Sequence, residues 1–252
     1  VLNAVAYNAV DLCEEADVEY QKAVLLNVTL PKELARLSTE LDFTLVHYST
    51  DYVFDGTLET PAEKKCAGAC CGGNCHGSSA GYDESALPNP VSKYGTTKYM
   101  GEQAVAIGTE TQYTIRLSKL FGKPAASAAG KRSFFEVMLE LGKTKEEVSA
   151  VDGEMSCFTY APDLANATKE LLESDDEFGT YHFVNEGAVT WYEGVQELYR
   201  QAGITIPVKP VGPEAFPRPA KRPAFSVLCN TKRPKLRHYS EALAAFLKER
   251  SS

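Results

Sequence analysis

Short apolar runs alternate with longer amphipathic segments along most of the chain. The runs have the length and the β-branched content of strands buried on both faces of a sheet. They predict strands at 43–48, 113–117, 148–151 and 179–184. The amphipathic segments predict helices at 11–27, 31–41, 134–145, 159–172, 191–202 and 240–250, with another that begins at Asn89. Strands that alternate with helices predict a doubly wound, Rossmann-type α/β fold around a parallel sheet.

The strand at 43–48 leads directly into hydroxyl side chains. Ser49 and Thr50 follow it, within the run His-Tyr-Ser-Thr-Asp-Tyr-Val-Phe that begins at His47. Open α/β sheets bind their ligands at the carboxyl ends of their strands. Both hydroxyls are therefore candidates for a functional site.

A second stretch, Tyr-Gly-Thr-Thr-Lys, begins at Tyr94 and belongs to the next helix. Asn89 is a good N-cap for this helix, and Pro90 suits its first position. Tyr94 and Lys98 then share one helical face. A phenol titrates near ~10, and a nearby ammonium favours its phenolate form. Together with Thr50, these residues predict a carbonyl-reducing site; the alternative is an ordinary surface face of the helix.

Composition limits the class of protein. With 252 residues the chain can form one large domain, or one domain with a small lobe. A net charge of −8 argues against nucleic acid or an anionic membrane surface as a partner. No apolar run approaches the ~20 residues that span a bilayer, and no signal peptide opens the chain. These features indicate a cytoplasmic protein.

The hydroxyl residue combined with Tyr-x-x-x-Lys resembles the extended short-chain dehydrogenase/reductases. Further blocks resemble one branch of them, the dTDP-4-dehydrorhamnose reductases. These blocks are Asn-Ala-Val-Ala-Tyr-Asn-Ala-Val-Asp at 3–11, Gly-Ala-Val-Thr-Trp-Tyr at 187–192 and Pro-Arg-Pro-Ala-Lys-Arg-Pro at 217–223. The resemblance covers nearly the whole chain, in order, with one insertion.

The resemblance implies a division of the chain. Residues 1–120 would be the remainder of a dinucleotide-binding domain, with a Cys- and Gly-rich insertion at 64–82. Residues 121–252 would hold the last strands and helices and a small C-terminal substrate lobe. In the family a strand and a Gly-rich turn precede the strand at Val1, and no such glycine pattern follows a strand here. We therefore expect an N-terminally truncated member that lacks its first βαβ segment, roughly 55–60 residues.

The resemblance also implies roles for individual residues. Thr50, Tyr94 and Lys98 would be catalytic, with NADP or NAD as the cofactor. The cofactor would be bound by Ala4, Ala6, Tyr7, Asn27, Ser49, Tyr94 and Lys98. The substrate would be contacted by Tyr52, Lys119 and Arg222.

Four positions have alternatives. Arg222 could instead lie in an exposed basic turn. Asn27 is either tied to the active-site region, as in the family, or an ordinary satisfied amide of the structure. Lys119 stands where relatives carry a Trp, and an ammonium there can reach an anionic group or be solvated. Trp191 is expected to be a core anchor rather than a ligand contact.

The function implied is NAD(P)H-dependent reduction of a 4-keto nucleotide sugar, dTDP-4-dehydrorhamnose to dTDP-rhamnose, in dTDP-rhamnose biosynthesis. One alternative is a non-catalytic regulatory subunit, because the β subunit of methionine adenosyltransferase resembles the same reductases. Another is an inactive fragment. A homodimer and a methionine adenosyltransferase-type partner both stay open.

The insertion contains the densest group of metal-ligating residues. Cys66, Cys70, Cys71, Cys75 and His76 could hold zinc. However, their spacing fits none of the usual Cys-x-x-Cys pairings, and no second pair lies elsewhere. A low-complexity surface loop without metal is therefore the favoured interpretation.

Overall fold

The computed structural model describes residues 1–58, 81–123 and 132–250. The strands are β1 Leu2–Asn3, β2 Leu45–Thr50, β3 Gln112–Leu117, β4 Leu120–Phe121, β5 Val148–Val151, β6 Thr159–Tyr160, β7 Gly179–His182, β8 Asn185–Glu186, β9 Val208–Val211 and β10 Leu236–His238. The helices are α1 Leu12–Glu15, α2 Asp17–Val24, α3 Leu30–Leu41, α4 Lys93–Gly108, α5 Phe134–Thr144, α6 Ala161–Leu172, α7 Trp191–Ala202 and α8 Tyr239–Arg250. Within these described ranges, no helix is long and apolar enough to cross a membrane.

The main sheet has four parallel strands in the order β1-β2-β3-β7. Its central strands β2 and β3 are buried along nearly their whole length, as is usual for strands inside a parallel sheet. The prediction of an α/β fold around a parallel sheet is therefore confirmed. The four predicted strands all exist, and their observed ends lie within about two residues of the predicted ones.

A second core lies in the C-terminal half of the chain. It is formed by one face each of α5, α7 and α8 together with the parallel pair β5 and β9. Aromatic rings dominate it: Phe121 contacts Phe135 edge to face at a centroid distance of 5.0 Å, and Phe158 lies 4.4 Å from Phe135. This core carries one wall of the candidate site. The predicted division near residue 120 stays a prediction.

Helices were predicted at 11–27 and 31–41 with a break between them, and the position of that break is wrong. The chain breaks earlier, at Ala16, whose backbone is extended. It then runs from α2 through one π-helical segment, Leu25–Thr29, into α3 without a break. Pro31 explains the wider turn, because a proline has no N–H to donate to the carbonyl four residues earlier, that of Asn27.

Two predicted helix starts are also wrong. The helix expected to begin at Asn89 begins at Lys93, and its cap is Ser92, whose Oγ accepts from the Gly95 N–H at 3.1 Å. Asn89 instead donates through Nδ2 to Asp55 at 3.0 Å. Similarly, the last helix, predicted at 240–250, begins at Tyr239, so Ser240 lies inside α8. At Asn89 a contact remote in sequence overrides the local cap signal.

Tyr82, the last residue of the predicted insertion, is part of the packed protein. Its ring stacks on Phe54 at 4.1 Å, and its hydroxyl donates to Asp55 at 2.9 Å. Its backbone pairs with residues 227 and 229. The candidate zinc ligands Cys66 to His76 lie outside the described residues.

Candidate active site

A cavity of about 500 Å³ opens at the carboxyl ends of β2 and β3. Parallel strands end at one edge of the sheet, and the first turns of α4 face that edge. Eight of the predicted site residues lie in its wall: Ala4, Ala6, Ser49, Thr50, Tyr52, Tyr94, Lys98 and Lys119. Tyr7, Asn27 and Arg222 do not line it.

Tyr94 lies in the first turn of α4 with its ring edge-on to Tyr52, at a centroid distance of 6.0 Å. Burial raises the pKa of the Tyr94 phenol above its usual value, and a hydrogen bond with the side chain of Thr50 opposes part of that shift. The phenol is therefore protonated at neutral pH. A protonated phenol in contact with a hydroxyl can donate a proton to an oxygen bound between them.

Lys98 is almost completely buried, with 2% of its surface exposed, and its Nζ donates to the carbonyl of Tyr48 at 2.6 Å. Burial lowers the pKa of the ammonium to about 8, and the charge of Glu102 opposes the shift. The side chains that shift the pKa of Tyr94 are Thr50, Asp51 and Cys13. The expected lowering of the phenol pKa by Lys98 is therefore not what this structure shows, since the ammonium is directed to the strand.

Ser49 has a polar atom that no described residue satisfies. Its Oγ is buried in the cavity wall without a hydrogen-bond partner among the described residues. Buried hydroxyls in native proteins are nearly always paired, with protein, water or ligand. An unpaired hydroxyl next to Thr50, in the wall of a cavity, fits a bound ligand with polar groups.

Asp51 is a site residue that the sequence analysis missed. Its Oδ2 accepts from the hydroxyls of Ser118 at 2.8 Å and Ser226 at 2.6 Å, and its Oδ1 accepts from Thr50 at 3.1 Å. Burial raises the pKa of this carboxyl, and the hydroxyls oppose the shift. Asp51 therefore orients the hydroxyl of Thr50. Its position directly after Thr50 was visible in the sequence, but its partners were not.

Lys119 and Trp191 form another part of the wall. Lys119 adopts a left-handed backbone conformation, with φ of 39°. Its Nζ lies 4.3 Å from the centroid of the Trp191 ring and donates to the carbonyls of Glu154 and Val189 at 3.3 and 3.2 Å. Trp191 packs against the C-terminal core, as expected, and also lines the cavity. Its Nε1 donates to Glu154 at 3.1 Å.

The three residues outside the cavity wall have other partners. Asn27 accepts from the N–H of Tyr7 at 2.9 Å and donates to the Tyr7 carbonyl and to Thr97, both at 3.0 Å. This amide therefore fastens residue 7 to α4. Arg222 forms a double ion pair with Asp11 at 2.7 and 2.9 Å. The binding roles of these residues stay predictions.

A parallel sheet with a hydroxyl, a phenol and a buried lysine at its carboxyl edge is the arrangement of a short-chain-type oxidoreductase. The RmlD substrate binding domain model matches residues 1–252 of this chain. The chain therefore belongs to that family, whose named members include sugar-nucleotide reductases.

Several relatives are known by sequence. The spore coat polysaccharide biosynthesis protein SpsK of Bacillus subtilis is 33% identical over the whole chain and 80% of its own length. The dTDP-4-dehydrorhamnose reductase of Escherichia coli K12 is 32% identical over 90% of this chain and 70% of its own length.

Solved structures agree with the fold. The crystal structure of a dTDP-4-dehydrorhamnose reductase from Clostridium acetobutylicum has a TM-score of 0.85 at 32% identity, covering 100% of this chain and 81% of that one. The enzyme from Bacillus anthracis, solved in complex with NADP, has a TM-score of 0.84 at 30% identity, covering 98% of this chain and 79% of that one.

Proposed function

We propose that the protein reduces the 4-keto group of a nucleotide sugar, dTDP-4-dehydrorhamnose to dTDP-rhamnose, with NADPH or NADH. The observation that carries the proposal is the convergence of Thr50, Tyr94 and Lys98 on one cavity. The names of the relatives supply the substrate.

The residues present fit the nicotinamide end of the cofactor. The unpaired Oγ of Ser49 offers a donor and an acceptor to a polar group bound in the cavity. Lys98 has three N–H donors, and among the described residues its one hydrogen bond is to the Tyr48 carbonyl. Ser49, Tyr94 and Lys98 would hold the ribose side of the group. When bound, the cofactor supplies a hydride to the keto carbon.

Tyr94 would supply the proton. Because burial keeps its phenol protonated, it donates to the oxygen of the carbonyl as negative charge develops there. The hydroxyl of Thr50 stabilises the same oxygen by a hydrogen bond. In the structure this hydroxyl donates to Asp51, so it must turn from the carboxylate toward the substrate.

Lys98 would restore the phenol after the reaction. In the structure its ammonium donates to the Tyr48 carbonyl, so this role requires Nζ to turn toward the phenol. A lysine with a pKa of about 8 readily passes a proton at neutral pH. Lys98 lies one helical turn after Tyr94 on the same face of α4, which allows such a movement.

The test is turnover of dTDP-4-dehydrorhamnose with NADPH and with NADH. Turnover is measured as the decrease in the concentration of reduced cofactor. We expect turnover by the parent, and a decrease of roughly 10²–10⁴ in Tyr94→Phe, the usual contribution of a positioned general acid. Affinity for the cofactor should change far less.

Tyr113→Phe is the matched control, because it removes a buried phenol whose hydroxyl donates to the Asp176 carbonyl, away from the cavity. It should leave kcat unchanged. Parent-like turnover in Tyr94→Phe would show that the assigned role is wrong.

A regulatory subunit without turnover stays the alternative function. It predicts binding of the dinucleotide or the nucleotide sugar, and no consumption of reduced cofactor in the same assay. Co-purification with a methionine adenosyltransferase catalytic chain, combined with absent turnover, would favour it over the reductase.

A further inference from the structure

Lys119 is a half-buried cation, and the carboxylates around it all have other hydrogen-bond partners. Its ammonium donates to two backbone carbonyls and lies over the rings of Trp191 and Phe158, at 4.3 and 5.1 Å. Among the described residues, no carboxylate lies within 4.0 Å of Nζ. The same lysine lines the cavity that holds Thr50 and Tyr94.

The carboxylates that face Lys119 are those of Asp51, Glu154 and Glu193. Asp51 accepts from three hydroxyls. Glu154 forms an ion pair with Arg218 and accepts from the Trp191 indole. Glu193 accepts from the N–H of the residue that caps its own helix. None of them forms an ion pair with the ammonium, whose direct contacts are two carbonyl oxygens and two aromatic faces.

Buried charges in proteins are usually paired, because desolvation of an isolated ion is unfavourable. Here the half-buried lysine lines a cavity large enough for a ligand. Burial lowers the pKa of Lys119 to about 8, so most of the lysine still carries its charge at neutral pH. An anionic ligand group would supply the counter-charge that the protein does not.

We propose that Lys119 binds an anionic oxygen of the nucleotide sugar and selects ligands that place such an oxygen beside Trp191. The inference rests on the proposed function for the nucleotide-sugar class, but it requires no turnover. The anionic oxygen has two sources, the diphosphate and a carboxylate carried by the sugar ring. A site built for a neutral deoxysugar ring alone would have no use for this charge.

Trp191 makes the proposal measurable by equilibrium binding. It is the only tryptophan in the 252 residues, and the ammonium of Lys119 lies over its ring. Fluorescence of Trp191 therefore reports occupancy of this wall of the cavity. The titrants are dTDP, dTDP-glucose and dTDP-glucuronate, which differ in whether a sugar and a sugar carboxylate are present.

Two variants separate the charge from the hydrogen bonds. Lys119→Gln removes the charge and keeps donors for the two carbonyls, and Lys119→Arg keeps the charge. Lys232→Gln is the matched control, since Lys232 also lies over a ring, that of Tyr181 at 4.9 Å, and donates to a backbone carbonyl. It does not line the cavity.

We expect Lys119→Gln to weaken binding by about tenfold or more, as for loss of a charge-assisted hydrogen bond. If Lys119→Gln binds all three ligands more weakly, the lysine contacts the diphosphate. If it binds only dTDP-glucuronate more weakly, the lysine contacts the sugar carboxylate. Lys119→Arg should retain the parent preference, and Lys232→Gln should bind as the parent does.

Equal binding of all three ligands by the parent and Lys119→Gln would overturn the proposal, as would a parent that binds none of them. A parent without turnover whose binding still depends on Lys119 would contradict the proposed function and leave this inference standing. The two failures are therefore distinguishable.

Discussion

Burial shifts the ionisable side chains of the cavity toward their neutral forms. The pKa of the Tyr94 phenol is raised, and that of the Lys98 ammonium is lowered to about 8. Both shifts have the same physical cause, since removal from water disfavours whichever form carries the charge. Compared with exposed residues, the proton donor Tyr94 therefore has a higher pKa, and the proton carrier Lys98 has a lower one.

Lys98 should make the stability of the protein depend on pH in the alkaline range. Its pKa is about 8 in the folded protein and about 10.5 in an unfolded chain, so between these values the unfolded chain binds an extra proton. Stability then rises with pH over that window. Lys98→Met should lose part of the rise, about 2 kcal/mol between pH 7.5 and 9.5.

The measurement is urea unfolding of both proteins at the two pH values. Lys232→Met serves as the control, because this lysine is exposed. A rise in Lys98→Met as steep as in the parent would show that the buried ammonium keeps an ordinary pKa.

At the scale of elements, the π-helical segment and α4 fit together closely. The carbonyl of Asn27, which Pro31 cannot bond, points at Gly101 on α4. A Cβ built at Gly101 would lie 2.0 Å from that carbonyl oxygen. Glycine is therefore required there by the approach of two backbones, although alanine is the better helix former by about 1 kcal/mol.

Gly101→Ala should consequently destabilise the protein, by on the order of 3 kcal/mol, because α4 must move away from the π-helical segment. It should also lower turnover, since α4 carries Tyr94 and Lys98. Thermal and urea unfolding report the first effect.

The comparison variant is Gly203→Ala, at a helix end where an added Cβ meets nothing within 4 Å and only the left-handed backbone opposes it. We expect it to lose about 1 kcal/mol. An unchanged melting temperature in Gly101→Ala would mean that the two helices are less tightly joined than described.

Sequence predicted the strands well and the helix boundaries less well. Short segments that contain β-branched residues identify strands locally, as for β3 and β5. The start of α4 at Lys93 could not be found in the same way, because Asn89 resembles a cap and is used instead to bind Asp55. The spacing of Tyr94 and Lys98 identified both as candidate site residues. The role of Asp51 could not be predicted, because its partners Ser118 and Ser226 are remote in sequence and no local pattern connects them.

At the scale of the whole molecule, one buried ion pair ties α4 to the sheet. Arg116 on β3 forms two hydrogen bonds to Glu102, at 3.0 and 2.8 Å, and its Nη1 lies 3.4 Å from Nε2 of His182 on β7. Both charged side chains are buried. Burial and the charge of Arg116 together lower the pKa of His182 to about 3, so this imidazole is neutral.

Arg116→Met alone should destabilise the protein by about 3–5 kcal/mol, because it leaves the carboxylate of Glu102 buried without its partner. The double variant Arg116→Met with Glu102→Leu should recover much of that loss, since two apolar side chains need no partner. Urea unfolding of the single and double variants measures the difference.

An exposed pair provides the control. Arg36 on α3 pairs with Glu33 and Glu40, and about half of each side chain is exposed. Arg36→Met should change stability by less than about 1 kcal/mol. A single Arg116 variant as stable as the parent would mean that the pair contributes nothing to holding α4 on the sheet.

The pairing of strands in the sheet has a consequence for how the protein is made. In the sheet, Leu2 pairs with Val46, Val46 with Tyr113, and Tyr113 with Gly179. Each strand is therefore synthesised long before the neighbour with which it next pairs. Folds built from such distant pairs form slowly. Asp51 receives its hydrogen bond from Ser226 only when synthesis has passed that residue. A ribosome-bound chain can thus contain Thr50 and Asp51 for many seconds before Ser226 is available to fix the acid that orients Thr50.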